Sequence, residues 1–213
     1  MEELKSKVTL SGILSGVSTP INYIPSMYES TIAVKRKNGE FDFIQVVIPN
    51  GLLDGIDRSI KWVQVSGLLR SRQVIEYGRT RLRIYVYVSE IKNIEESAVG
   101  ENQITILGSI KGMPMIKDLL PSNMVVNLSV SIDRHGNEKI IDCIPCVLWS
   151  NVAKSAAFLR DGDIVTICGR MQSRSFFDKK IRLWRIVNEI AVNHFTVIKR
   201  KARVRKKNEQ GIN

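Results

Sequence analysis

Aromatic rings and cations alternate over one short stretch, Arg174-Ser175-Phe176-Phe177-Asp178-Lys179-Lys180, with Arg182, Trp184 and Arg185 just beyond it. Side by side, these two residue types perform recognition rather than bond making: π-faces accept other planar rings, and cations neutralise a string of anions. Trp149 adds a ring at the end of the apolar run 141–149. The first half offers Phe43, Tyr77, Tyr85 and Tyr87, of which the last two share a strand face and suit a core equally well. Its cations are Lys35-Arg36-Lys37, Arg70, Arg72 and the alternation Arg79, Arg81, Arg83, which puts three arginines on one strand face.

Bond-making chemistry has no comparable constellation. There is no phosphate-cradling glycine loop with Lys-Ser/Thr, no HExxH and no nucleophile elbow, and the carboxylates are scattered. Cys143 and Cys146 have zinc-like spacing, but residues three apart on a strand point to opposite faces. Cys168, His135 and His194 are the remaining candidate ligands, so the expectation is no metal, no cofactor and no catalysis.

Charge names the class of partner. The chain has 213 residues with 32 basic and 21 acidic side chains, a net charge of +11, and a pI near 9.7. Seven of the cations fall in the last fifteen residues, at Lys199, Arg200, Lys201, Arg203, Arg205, Lys206 and Lys207. Such a run reads as a disordered basic tail, and the excess points to nucleic acid before a membrane surface. Stacking is therefore assigned to Trp149, Phe176, Phe177, Trp184, Phe43 and Tyr77. Phosphate contact is assigned to the tail cations, to Arg170, Arg174, Lys179, Lys180 and Arg182, and to the first-half cations. No apolar run approaches the ~18 residues of a membrane span. The three cysteines form no even framework, so a reducing cytoplasm is expected.

The elements that must position these groups come from an internal repeat. Val8–Ser15 is echoed by Ile104–Lys111, Phe41–Ile48 by Ile141–Leu148, and Trp62–Gly67 by Asp163–Gly169. Each glycine is followed by x-x-x-Ser-Arg, ending at Arg72 and Arg174, and Ser89-Glu90-Ile91 answers Asn188-Glu189-Ile190. The matched segments are short, rich in β-branched residues and lack a helical stripe, while Asn38-Gly39 and His135-Gly136-Asn137 mark hairpins. The composition of 151–160 predicts one helix; its counterpart at 49–55, broken by Pro49, Gly51 and Gly55, predicts a loop. The expected fold is all-β with one short helix: two five-stranded barrels, residues 1–96 and 97–198, and a tail at 199–213. OB-folds fit this order, with SH3-like barrels the competitor on strand count.

The second copy resembles the bacterial single-stranded DNA-binding proteins. The carrying residues are Ile141-Asp142-Cys143-Ile144-Pro145-Cys146-Val147-Leu148-Trp149, Ala153 to Phe158-Leu159, Asp161-Gly162-Asp163, and Gly169-Arg170-Met171-Gln172-Ser173-Arg174-Ser175-Phe176. The resemblance spans roughly 103–195 and reaches the first copy mainly through the repeat. It implies OB-folds binding single-stranded DNA, or RNA, with little sequence preference. It also implies a homodimer presenting four folds, service in replication, repair or recombination alongside proteins of those processes, and a nucleoid-associated location. It places Trp149 and Phe176 at stacking positions. Departures are a basic rather than acidic end, Cys143 where the family has an aromatic, and Pro49 and Val74 where copy one would match Trp149 and Phe176; Phe43 stands where Cys143 does. These point to a specialised plasmid, phage or accessory member. They also motivate an alternative in which the first domain is a protein-interaction or oligomerisation module.

Overall fold

The computed structural model describes residues 5–15, 20–21, 24–57, 61–96, 100–118, 124–134 and 140–202. In the first repeat the chain forms β1 (Ser6–Ser15), β2 (Pro20–Ile21), β3 (Ile24–Lys35), β4 (Phe41–Pro49), α1 (Asn50–Leu53), β5 (Trp62–Glu76) and β6 (Arg79–Asn93). The second runs β7 (Asn102–Asp118), β8 (Met124–Asp133), β9 (Ile141–Trp149), α2 (Ser150–Ala156), β10 (Ile164–Asp178) and β11 (Leu183–Lys199). Burial alternates along β5 from Val63 to Ser71 and along β8 from Leu128 to Ile132, the two-residue period of strands with one face inside. A slip of one residue would turn Val63, Val65 and Leu69 out into water, so the pattern sets the register.

Each repeat closes on itself. In the first, β1 pairs with β3 and β5, β5 with β6, β3 with β4, and β4 lies parallel to β6 through Val46↔Val86. In the second, β7 pairs with β8 and β10, β10 with β11, β8 with β9, and β9 lies parallel to β11 through Cys146↔Ile190. With the two-residue β2 only appended to β3, these are two closed five-stranded barrels with a helix before the fourth barrel strand, which are OB-folds.

Gly67 and Gly169 sit at the register shifts of the two long hairpins, and a Cβ there would collide with the carbonyl oxygens of Tyr87 and Ala191. Only glycine allows these strands to approach so closely at the bulge.

Three expectations are corrected. The strands are not all short: β5, β6 and β10 have 15 residues and β11 has 17, so two long hairpins reach beyond the barrels. Residues 50–53 are not a loop but one helical turn, because Leu52 and Leu53 pack against the core and Pro49 precedes the turn, where its ring is tolerated. The fold also extends past residue 198: Lys199 ends β11, opposite Ile164, while Arg200 and Lys201 hold two aspartates. Residues 203–213, with Arg203, Arg205, Lys206 and Lys207, lie outside the described residues, as does the expected turn at 135–137.

The repeats join back to back. β1 and β7 pair antiparallel from Ser6↔Ile106 to Leu10↔Asn102, with Val8 facing Ile104, its own counterpart in the repeat. Two matched hydrogen-bond clusters flank this seam. Asp42, fully buried, accepts from the Ser173 backbone N–H at 2.7 Å, from Arg36 at 2.5 and 2.9 Å and from Arg170 at 2.9 Å. Asp142, also fully buried, accepts from the Ser71 N–H at 2.6 Å and from Arg134 at 2.7 and 2.9 Å. Arg36 and Arg134 close each cluster by donating to the Ser173 and Ser71 carbonyls, both at 3.0 Å. In both, the serine hydroxyl accepts the N–H of the residue after the aspartate, Phe43 or Cys143.

Candidate nucleic-acid interface

The two long hairpins carry most of the predicted site. At the β5–β6 turn, Tyr77 and Gly78 have φ of 50° and 68°, the two-residue turn with both centres left-handed. Tyr77 projects there, 67% exposed. On β10–β11, Phe177 faces Trp184 across the ladder, with ring centroids 5.7 Å apart and planes at 63°. Trp184 is 73% exposed and Phe177 44%. Phe176 points to the other sheet face, half-buried, with the Arg174 and Arg185 guanidiniums 5.5 and 5.9 Å from its ring centre. Its faces therefore serve arginines in this structure.

The hairpin tips touch through an ion network. Arg185 reaches Glu76 at 2.5 Å and Asp178 at 3.5 Å, Arg81 reaches Asp178 at 3.1 Å, and Arg83 pairs with Glu76. Burial would push the Asp178 carboxyl up, but the Lys180 N–H and these arginines outweigh it and hold it below the usual carboxylate range. Arg79, third of the arginines expected on this face, is exposed. Between the tips, β4 and β11 lies a cleft of about 630 Å³ whose lining includes Phe43, Tyr77, Arg83, Trp184, Arg185 and Asn188. Asn188 donates to the Phe43 carbonyl at 2.9 Å, across the two repeats.

A second hollow, of about 540 Å³, gathers Lys35, Arg36, Lys37 and Arg170 around Asp42. Hydrogen bonds donated to Asp42 raise the pKa of Arg36, against its partial burial. Four cations against two acids, Asp42 and Glu40, the latter also held by Arg36 at 2.9 Å, leave net positive charge facing outward, the requirement for a phosphate. Arg72 and Arg70 are engaged within the protein: Arg72 pairs with Glu29 and lies 5.4 Å from the Tyr85 ring centre, and Arg70 lies 3.5 Å from Asp142. Burial, the foremost cause, raises the phenol pKa of Tyr85, as befits a half-sunk ring. In the second repeat Lys179, Lys180 and Arg182 are exposed around the β10–β11 turn, and Arg174 lies 3.5 Å from Glu189.

Trp149 stands apart from these groups, ending β9 with its ring 49% exposed. Lys199 is exposed, while Arg200 and Lys201 grip Asp163 and Asp161, each at 2.9 Å. As expected of a strand, Cys146 is buried and Cys143 half-exposed, 3.2 Å from the Lys111 ammonium; burial pushes the Cys146 thiol up. Among the described residues no three His, Cys, Asp or Glu side chains gather in a way that could hold a metal. No helix there is long and apolar enough to cross a membrane.

Sequence reasoning missed Phe158, 73% exposed just after α2, and the cleft-lining Leu82 and Ile186. It also missed the Asp42 and Asp142 clusters. Their signal was present: an aspartate at the same place in both copies of an otherwise apolar strand.

Exposed aromatics beside cations, carried on paired OB-folds, are the groups that nucleic-acid grooves use to stack bases and contact phosphates. Residues 101–198 match the model of the single-strand binding protein family. A stretch of 84 residues is 30% identical to the single-stranded DNA-binding protein of Deinococcus radiodurans, covering 37% of this chain and 28% of that protein. The chain thus spans under a third of the length of that relative. The fold resembles two crystal structures of the single-stranded DNA-binding protein from Thermus aquaticus. One is a deletion mutant (TM-score 0.71, 17% identity, 97% of this chain and 100% of that one) and the other the wild type (0.70, 18%, 94% and 96%). The family match thus falls on the second repeat, and the likeness to the Thermus aquaticus structures extends the fold over both repeats. That family consists of DNA-binding proteins without enzymatic activity.

Proposed function

We propose that this chain coats single-stranded DNA with little sequence preference, in replication, repair or recombination, as a homodimer presenting four OB-folds at the nucleoid. The carrying observation is the set of exposed rings, Phe177, Trp184, Phe43 and Tyr77, standing near cations, with Trp149 exposed apart from them, on a fold whose second repeat matches the family. Stacked bases need open ring faces, and each is worth ~1–3 kcal/mol, largely regardless of base identity. The exposed Lys35, Lys37, Arg79, Lys179, Lys180, Arg182 and Lys199 supply phosphate contacts, together with Arg174 at the rim and the cations of residues 203–213. Arginines engaged by buried carboxylates, Arg36, Arg70, Arg81 and Arg170, chiefly hold the scaffold.

The test is competition for a labelled dT oligomer by unlabelled single strand, duplex and RNA across a salt series. Single strand should compete best, with affinity falling steeply as salt rises. Tight sequence-specific duplex binding would overturn the reading. Sedimentation should give twice the chain mass.

A further inference from the structure

We propose that the cleft between the two hairpin tips is a composite subsite, built by both repeats, that holds an unpaired nucleotide segment where a single strand passes from one barrel to the other. The inference rests on the single-strand reading above and names a site within it. The walls come from different repeats: Phe43, Tyr77 and Arg83 from the first, Trp184, Arg185 and Asn188 from the second. A volume of about 630 Å³ lies within the usual range of ligand clefts, about 300–1,000 Å³.

Three features fit a base with its phosphate. Phe43, Tyr77 and Trp184 are 47%, 67% and 73% exposed, so open ring faces stand on both sides. Trp184 is braced edge-on by Phe177, and a ring already held in place loses little entropy on binding. Charge favours an anion: three arginines, Arg81, Arg83 and Arg185, share two carboxylates, Glu76 and Asp178, and of these side chains Arg83 is the most exposed, at 41% against 15% for Glu76. An entering phosphate therefore meets a net positive lining, with Glu76 already held by Arg83 and Arg185. Tyr77 adds a further sign, since a bulky side chain is kept at φ 50°, where Gly or Asn would relieve strain.

The experiment uses the full chain and a dT oligomer of about 30 nucleotides, enough to span two OB-folds at about 4–16 nucleotides each. Trp184→Ala removes the exposed ring. Tyr77→Asn removes the facing ring while suiting the left-handed turn, so the test does not depend on one variant folding. Ile75→Ala, on the same hairpin but outside the cleft, is the control. Each cleft variant should weaken binding by about 5- to 150-fold, the equivalent of ~1–3 kcal/mol per stacked base. The double variant should lose less than the product of the two, because both rings grip one segment, and the control should bind as wild type.

Unchanged affinity in both cleft variants, with Trp149→Ala still weakening binding, would overturn the subsite and leave the single-strand reading standing. A change in sedimentation with affinity per chain unchanged would make the cleft a contact between copies instead, and would also overturn it. Failure of the wild type to bind dT would sink the single-strand reading itself.

Discussion

Asp142→Ala should destabilise the whole molecule, although the aspartate belongs to one repeat and much of its work is done on the other. The carboxylate is fully buried and accepts from the Ser71 N–H at 2.6 Å, the Ser71 hydroxyl at 3.3 Å and Arg134 at 2.7 and 2.9 Å, with Arg70 at 3.5 Å. Alanine leaves the Ser71 N–H without its acceptor and two arginines without their counter-charge. Breaking one partner out of a buried pair costs about 3–5 kcal/mol. Because the Arg134 side chain is 27% exposed and recovers some hydration, the lower part of that range is expected. Asp142→Asn keeps an oxygen for Ser71 and should cost about half as much. At this chain length about 1 kcal/mol moves Tm by about 2–4 °C, so alanine should lower it by about 6–16 °C. Asp133→Ala is the control: its bond to Lys5 is 3.4 Å long, with side chains 68% and 33% exposed, and such surface pairs contribute about 0–1 kcal/mol. Calorimetry on the three variants decides. An Asp142→Ala protein that melts with the Asp133→Ala control would refute the argument that this cluster ties the repeats together.

Trp149→Ala should weaken dT binding by ~1–3 kcal/mol with Tm nearly unchanged, since the ring is half in solvent; earlier melting with unchanged affinity would instead make it a packing residue. Truncation after Ala202 removes Arg203, Arg205, Lys206 and Lys207 but spares the Arg200 and Lys201 contacts. If two to four phosphates lose a partner, the log–log salt slope should flatten by about 1.4–2.8. Parallel slopes would show that those residues do not touch DNA. Truncation after Ile198 should in addition lower Tm, because Asp163 loses Arg200 and the Lys201 N–H. Burial would push the Asp163 carboxyl up, but the Lys201 and Arg160 N–H groups and the Arg200 guanidinium hold it below the usual carboxylate range. A depressed folded pKa contributes stability above the unfolded value of about 3.9, lost as pH falls through the folded one. The Tm gap between wild type and Asp163→Asn should therefore be constant above about pH 5 and close below about pH 4. A gap that persists to pH 2 would contradict it.

Much of the architecture was legible along the chain. Alternating burial in β5 and β8, the Asn38-Gly39 hairpin and the repeat order are local signals, because pleat and turn geometry are set by residues close in sequence. The extra turn at Asn50–Leu53 was not legible, since Pro and Gly argue against it and only the packing of Leu52 and Leu53 on the core wins it back. The chemical class of the site was legible too: rings beside cations say stacking and phosphate contact wherever they end up.

The arrangement of those groups was decided elsewhere. Sequence set the residue types, two copies of one strand order and the excess of positive charge. Tertiary structure decided that Val8 would face Ile104 across the seam, that Phe43, Tyr77 and Trp184 would line one cleft, and that Arg81 and Arg185 would be held by carboxylates while Arg79 remained exposed. The reason is separation. Arg81 and Asp178 are 97 residues apart, and Phe43 and Asn188 are 145 apart. A two-residue period carries no information over that span, so the partners exist only once both barrels have closed and paired through β1 and β7.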